Sequence, residues 1–289
     1  MGALLLMEDV TLRRLQPGDL ADGLKLTQAE RWSHRMEDWE FHYRLGRGWA
    51  ACDSTGKLLG TASWWAYGDA FATVGLVLVD QSCQGRGIGR KLMNAAIDEA
   101  GTRTRQLVAT KAGLTLYQRC GFREVAGIAQ HQGPPAAEIP AVQLPPDTVL
   151  RPTSPDDLAS MCNLDTAASG ADRQNLIRAV VEWGAGGVLA VRDGRPIAFA
   201  LARQSGRGTV IGPIVAPDES LAIALIASQL KLNRGLARVD IPTDALKLAE
   251  WLEAAGIPCV DRVTVMIRGE MPKRSSNERV FGLVSQALS

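Results

Sequence analysis

Three glycines, Gly85, Gly87 and Gly89, fall within five residues of the run QSCQGRGIGRKLM at 81–93. An apolar run, VGLVLVD at 74–80, precedes them and a basic amphipathic run follows, so they lie between a predicted strand and a predicted helix. A helix N-terminus offers unpaired N–H groups and the positive end of the helix dipole. Glycines let such N–H groups converge on an anion, because they tolerate positive φ and carry no Cβ. The chemistry on offer is the holding of a phosphate or pyrophosphate, with Arg86, Arg90 and Lys91 adding positive charge. A tight turn whose glycines serve packing alone would use the same residues, and both readings stand at this point. The spacing departs from the dinucleotide fingerprint, which needs G-x-x-G after G-x-G, and from the nucleotide P-loop, since no G-K-[ST] follows.

The elements around this loop read as alternating helices and strands. Helices are predicted near 18–29 and 34–46, then strands near 48–53, 58–67 and 71–79. After the glycines a helix is expected over roughly 87–101, with Ile88, Leu92, Ala95 and Ala96 on one face. A strand at 105–109, a helix at 112–120 and a strand from 122 close the unit. The second half repeats this order, ending in a strand near 260–268. The class is therefore α/β or α+β with a mixed sheet.

The chain is written twice. LRRLQPGDL at 12–20 matches LRPTSPDDL at 150–158, an offset of 138 residues, and GKLLGTA at 56–62 falls on GRPIAFA at 194–200 in the same register. Two matches in one register point to duplication. Between the halves, GPPAAEIPAVQLPPD at 133–147 holds five of the fourteen prolines and reads as a linker. Domains are expected at 8–132 and 148–289. An internal pseudo-dimer of this kind predicts a monomer or a weak homodimer.

The 289 residues suit two domains of about 140 each. Hydrophobic residues at 46% and charged residues at 22% allow each half a core. A net charge of +1 argues against nucleic-acid binding by phosphate neutralisation, while leaving room for one small anion. The five cysteines are scattered and odd in number, which favours a reducing cytoplasm. The start, MGALLLMED, is too short and lacks the basic residues of a signal peptide, and no membrane association is expected. Met7 is an alternative start. His34, His42 and His131 show no ligand spacing, so no metal is expected.

The glycine loop resembles the acyl-CoA loop of the GNAT acyltransferase superfamily, [RQ]-x-x-G-x-[GA], here Gln84, Gly85, Arg86, Gly87, Ile88 and Gly89. LVATKAGLTLYQRCGF at 107–122 is similar to the fifth strand, helix and closing G-F pair of that family. The resemblance covers roughly 10–130. The whole chain is similar to two-domain bacterial members, in which an intact first domain precedes a degenerate one. Gln81 departs from the proline often found there.

The resemblance implies a tandem GNAT fold in which the fourth and fifth strands splay and the pantetheine arm of acetyl-CoA inserts between them. The main chain of Val77, Leu78 and Val79 would pair with pantetheine, and the backbone from Gln84 to Arg90 would hold the pyrophosphate. A main-chain N–H of the fourth strand would polarise the thioester carbonyl. Tyr117 matches the family's general acid, although it also sits on an apolar face with Leu114 and Cys120. Thr110 stands where asparagine often contacts CoA. The strands TVGLVLV and RQLVAT carry no acid, so the general base is unassigned. The implied reaction moves an acetyl or short acyl group to a primary amine of a small molecule. A non-catalytic acyl-CoA sensor and a protein acetyltransferase are the alternatives.

In that family the first two helices shape the acceptor pocket. Trp32, Met36, Trp39 and Tyr43 recur at helical steps, either as a face packed on the sheet or as an aromatic acceptor wall. Glu30, Glu37, Asp38 or Glu40 would then attract an amine. Trp64 and Trp65 are adjacent on a strand and face opposite ways, so one of them could line the cleft. The second half has VAPDESLAIALI at 215–226 in place of the glycine loop, where Asp218 and Glu219 would repel a pyrophosphate, and Leu252 in place of Tyr117. This predicts one cofactor site. The tail, NERVFGLVSQALS, is expected to pack as a final strand or short helix.

Overall fold

The computed structural model describes residues 10–233 and 235–289; Met7 and the first two residues of the 8–132 unit lie outside them. The first half runs β1 (Thr11–Arg14), α1 (Leu20–Ala29), α2 (Met36–Leu45), β2 (Arg47–Cys52), β3 (Leu58–Tyr67), β4 (Phe71–Val79), α3 (Ile88–Glu99), β5 (Thr104–Ala109), α4 (Leu114–Arg119) and β6 (Arg123–Gly133). The second half runs β7 (Thr148–Pro152), α5 (Leu158–Ser169), α6 (Gln174–Trp183), β8 (Gly186–Arg192), β9 (Arg195–Ser205), β10 (Gly208–Ala216), α7 (Glu219–Leu232), β11 (Ala237–Pro242), α8 (Leu246–Ala254) and β12 (Cys259–Arg268). The tail adds β13 (Arg279–Gly282), the strand of the two forms expected for it.

The repeat seen in the sequence is physical. Arg13 grips Asp19 with two hydrogen bonds of 2.6 and 2.7 Å, and Arg151 grips Asp157 with two of 2.7 Å. Each aspartate also accepts the N–H three residues before it, from Gln16 and Ser154, at 2.8 Å. A proline then opens the turn into α1 or α5. These pairs fix the angle at which each first helix leaves its first strand.

All thirteen strands join one sheet, in the order β1-β2-β3-β4-β5-β12-β6-β11-β10-β9-β8-β7, with β13 on β10. The halves exchange their last strands. β12 pairs with β5, Thr264 opposite Ala109, and β6 pairs with β11, Ala129 opposite Ile241. β6 and β12 lie antiparallel at the seam. Neither half therefore completes its sheet without the other.

Two interruptions of pairing position the site. β4 and β5 are parallel and pair only from Phe71/Thr104 to Thr73/Gln106, so among the described residues the β5-facing edge of β4 has no strand partner from Val74 onward. β4 also bulges at Leu76, whose φ of 49° is the left-handed region. A β-carbon costs about 1–2 kcal/mol there, and the Thr61 hydroxyl donates to the Leu76 carbonyl at 2.7 Å. Over the sheet, α3 buries Ile88, Leu92, Met93, Ala96 and Ile97 against β2–β4. That packing holds the glycine loop at the end of β4.

Candidate active site

The glycine loop has the conformation its glycines permit. Gly85 and Gly87 both lie at φ 77°, and Gly87 is the N-cap of α3. A β-carbon at Gly89 would stand 3.3 Å from Leu116, so this glycine lets α3 approach α4. Asp80 accepts the Ser82 N–H at 2.9 Å and turns the chain out of β4. The Gln84 amide bridges the Val79 carbonyl at 3.2 Å and Glu30 at 3.4 Å, tying the loop to the end of α1. Arg86 is held to the Ser82 carbonyl at 3.3 Å.

A groove of about 570 Å³ runs along the open edge of β4 and past this loop. It brings together Val77, Leu78, Val79, Gln84, Gly85, Gly87, Ile88, Gly89, Arg90, Thr110 and Tyr117. Arg86 lies in the loop without lining the groove. Tyr117 packs edge-on to Phe122, and its ring lies where a β-carbon on Gly113 would fall, 2.6 Å from Cε2. Burial raises the Tyr117 pKa to about 12, so the phenol keeps its proton at neutral pH.

A second chamber of about 320 Å³ opens beside the groove. The two share Trp32, Gly75, Leu76, Val108 and Thr110, so they meet at the β4 bulge. Both halves build the chamber. His34 and His42 come from the first two helices and their link, Gln130 from β6, Arg203 and Arg207 from the β9–β10 hairpin, and Arg238 from β11. The tail adds Ser285, Gln286 and Ala287.

Histidines at this chamber are uncharged. His42 Nδ1 lies 2.5 Å from the Asp38 carbonyl, which requires an N–H there, and its Nε2 then accepts from Ser285 Oγ at 3.2 Å. Burial, then Arg203, holds the His42 pKa down to about 3. Burial lowers that of His34 to about 4, with Asp38 opposing and Arg238 and Arg203 reinforcing the shift. The buried Nδ1 of His34 has no hydrogen-bond partner.

Most of the expected acceptor wall lies elsewhere. Of Trp32, Trp39, Tyr43, Trp64 and Trp65, only Trp32 lines either cavity. It precedes α2 instead of sharing its face, because the helix starts at Met36. Trp39 is buried against Gly23 and donates to Thr27 at 3.3 Å. Tyr43 packs on the same core. Trp65 donates to the His42 carbonyl at 2.9 Å, and Trp64 packs with the α3 face. Asp38, considered as an amine anchor, is buried and occupied: it accepts from Arg35 N–H at 2.9 Å, Gly206 N–H at 2.9 Å and Arg203 at 3.0 Å. Burial alone would raise its pKa, but these bonds outweigh burial and hold it below the usual carboxylate range. Glu37 and Glu40 are exposed, and neither lines the cavities. Glu30 lines the groove.

The corresponding place in the second half is filled. β10 and β11 pair in parallel only at Thr209/Ala237 and Val210/Arg238, then separate as β4 and β5 do. Into that gap comes β13, which pairs with Ile214, Val215 and Ala216 of β10. These three stand 137 residues after Val77, Leu78 and Val79. The start of α7 is closed as well: Asp218 accepts the Leu221 N–H at 2.9 Å, and Glu219 accepts the Leu248 N–H at 2.8 Å. Leu252 is fully buried.

Sequence reasoning missed the Leu76 bulge, Gly113, His34 and the arginines of the second half. Only Gly113, four residues before Tyr117, left a readable sign. Among the described residues, no group of three His, Cys, Asp or Glu side chains could hold a metal, and no helix is long and apolar enough to cross a membrane. All five cysteines are free.

Family models described as acetyltransferase (GNAT) domains match residues 44–124 and 161–282. The uncharacterized N-acetyltransferase YitH of Bacillus subtilis is 28% identical over 218 residues, 75% of this chain and 76% of YitH. A putative acetyltransferase from Pyrococcus horikoshii superposes with a TM-score of 0.76 at 20% identity, covering 100% of this chain and 99% of its own. A tandem GNAT protein from the clavulanic acid biosynthesis pathway gives 0.64 at 16% identity, with 90% and 98% covered. The chain is thus an acyltransferase, with a mixed α/β fold and its cavities at a split in the sheet. More particularly, it belongs to the GNAT superfamily, as a tandem-domain member.

Proposed function

We propose that the chain transfers an acetyl or short acyl group from acyl-CoA to a primary amine of a small molecule, using one donor site in the first half. The observation that carries this reading is the unpaired edge of β4 running into the Gly85–Gly89 loop, with Tyr117 in the same groove. An extended arm can add to an open strand edge through main-chain hydrogen bonds, and Val77, Leu78 and Val79 offer that edge. The backbone from Gln84 to Arg90 offers N–H groups to a pyrophosphate at the start of α3. Thr110 adds a hydroxyl just past the end of β5. The donor supplies an activated thioester.

Leu76 stands where the two cavities meet and Val77 follows it along the groove, so the N–H groups of the bulge are suited to polarise a carbonyl there. Tyr117, kept protonated by burial, would donate its proton to the departing thiolate. No carboxylate stands on β4 or β5; in their place His34, neutral and with an unpartnered Nδ1, would accept the proton released by the amine. The second half supplies part of the acceptor chamber's wall and binds no donor, since β13 fills its slot. The chamber's volume of about 320 Å³ favours a small acceptor over a protein side chain.

The test is thiol release from acetyl-CoA across a panel of amines, amino acids and aminoglycosides. Saturable turnover with a small amine supports the reading. Acetyl-CoA binding without turnover on any amine or peptide would favour a sensor.

A further inference from the structure

The wall of the acceptor chamber carries more positive than negative side chains. Four arginines line it, Arg31, Arg203, Arg207 and Arg238, against one carboxylate, Asp261. Arg203 and Arg238 are held from behind: Arg203 by Asp38 at 3.0 Å, and Arg238 by Asp240 at 2.9 and 2.6 Å. Neither of those aspartates lines the chamber. Arg31 and Arg207 are exposed at its rim, and among the described residues neither has a carboxylate partner. Arg203 is buried, and its Nε has no hydrogen-bond partner. A buried guanidinium donor left unmade is costly, and an anionic acceptor atom is its natural complement.

Histidine chemistry agrees with this electrostatic picture. Arg203 and Arg238 both act to keep His34 uncharged, against the opposing charge of Asp38. The remaining polar groups of the wall, Ser33, Ser205, Gln130, Gln132 and Gln286, can donate hydrogen bonds to oxygens as well.

We propose that the chamber takes an amine that also carries a carboxylate or phosphate group. The amine would face the β4 bulge and the anionic group the β9–β10 hairpin, between Arg203, Arg207 and Arg238. The volume of about 320 Å³ suits a small metabolite. Three of the four arginines, Arg203, Arg207 and Arg238, come from the second half, so that half supplies most of the charge that selects the acceptor. This specification rests on reading the neighbouring groove as the donor site.

The experiment is isothermal titration of matched amines into the full chain, with and without CoA. Glycine is compared with glycinamide, glutamate with putrescine, and O-phosphoethanolamine with ethanolamine. At least one anionic member is expected to bind tenfold or more tightly than its partner; the amino-acid pairs report a carboxylate and the phosphoethanolamine pair a phosphate. Arg207→Gln, at an exposed and unpaired position, is expected to weaken that anionic member three- to tenfold and leave its partner and CoA unchanged. Equal binding of the pairs, no binding by any anionic amine, or an indifferent Arg207→Gln variant would overturn the proposal. Loss of CoA binding, read in a separate titration, would instead overturn the donor site, and binding without thiol release would overturn the reaction.

Discussion

Val280 of β13 lies opposite Val215 of β10, in the gap that opens where β10 and β11 part. The equivalent residue in the first half, Leu78, has among the described residues only β3 beside it, with Thr61 as its partner. One chain thus holds the same split sheet in two states, one edge paired by its own tail and one left open. The filled slot shows that a strand fits this gap, which is what a pantetheine arm would do in the open one. Beyond β13 the tail crosses back to the first half, where Ala287 rests on Gly75 and Tyr67 donates to the Leu288 carbonyl at 2.8 Å.

Tyr117→Phe is expected to lower kcat by about a hundredfold, the scale of general-acid catalysis, with acetyl-CoA affinity kept. Gly113→Ala should act similarly while keeping the hydroxyl group, because its new methyl would stand 2.6 Å from the Tyr117 ring and displace it. Steady-state kinetics beside cofactor titration checks both. Unchanged turnover in Tyr117→Phe would leave the residue a packing role.

Gly87→Ala places a β-carbon at φ 77°. The strain of about 1–2 kcal/mol should weaken acetyl-CoA binding about tenfold as the loop shifts to relieve it. Equal affinity in the variant would show that the loop's left-handed turn does not shape the donor site.

Asp38→Ala removes the carboxylate that joins α2 to the β9–β10 hairpin and leaves Arg203 buried without a counter-charge. The expected loss is about 3–5 kcal/mol, read as a lower midpoint in urea with an unchanged slope. Asp38→Ala combined with Arg203→Met should recover part of it, since no unpaired charge then stays buried.

Acid should destabilise the fold before its carboxylates titrate. His42 and His34 have pKa values near 3 and 4 in the fold, against an ordinary 6.5 when unfolded. Their shifts are depressions, so below 6.5 the unfolded chain takes up protons that the folded chain refuses. Their contribution is full above pH 6.5 and falls as pH drops towards 4. Among the facing groups, Arg203 and Arg238 oppose His34 protonation, and Asp38, held below the usual carboxylate range, keeps its charge across this window. A Tm series from pH 7.5 to 4.5 should decline, and a His42→Gln variant should decline less.

Some of this was legible from residue types alone. The offset of 138 residues became two matching Arg–Asp clamps, because a repeated strand, turn and helix needs the same local bonds in both copies. The glycine loop was legible because positive φ selects for glycine. The aromatic stripe misled: Trp39 and Tyr43 recur at helical spacing, and that spacing is the same for a core face and for a ligand wall. Trp64 and Trp65 do face opposite sides of β3, yet helices cover both faces. The exchange of β6 and β12 left no sign, since a strand's alternation is indifferent to which half supplies its partner. Arg203 and Arg238 were invisible for that reason, as their place at the chamber depends on the exchange.

The most direct test is the stoichiometry of acetyl-CoA binding to the full chain by isothermal titration. The open β4 edge and the filled β10 edge predict one site per chain, lost or weakened in Gly87→Ala. Two sites per chain, or no binding at millimolar acetyl-CoA, would contradict the account.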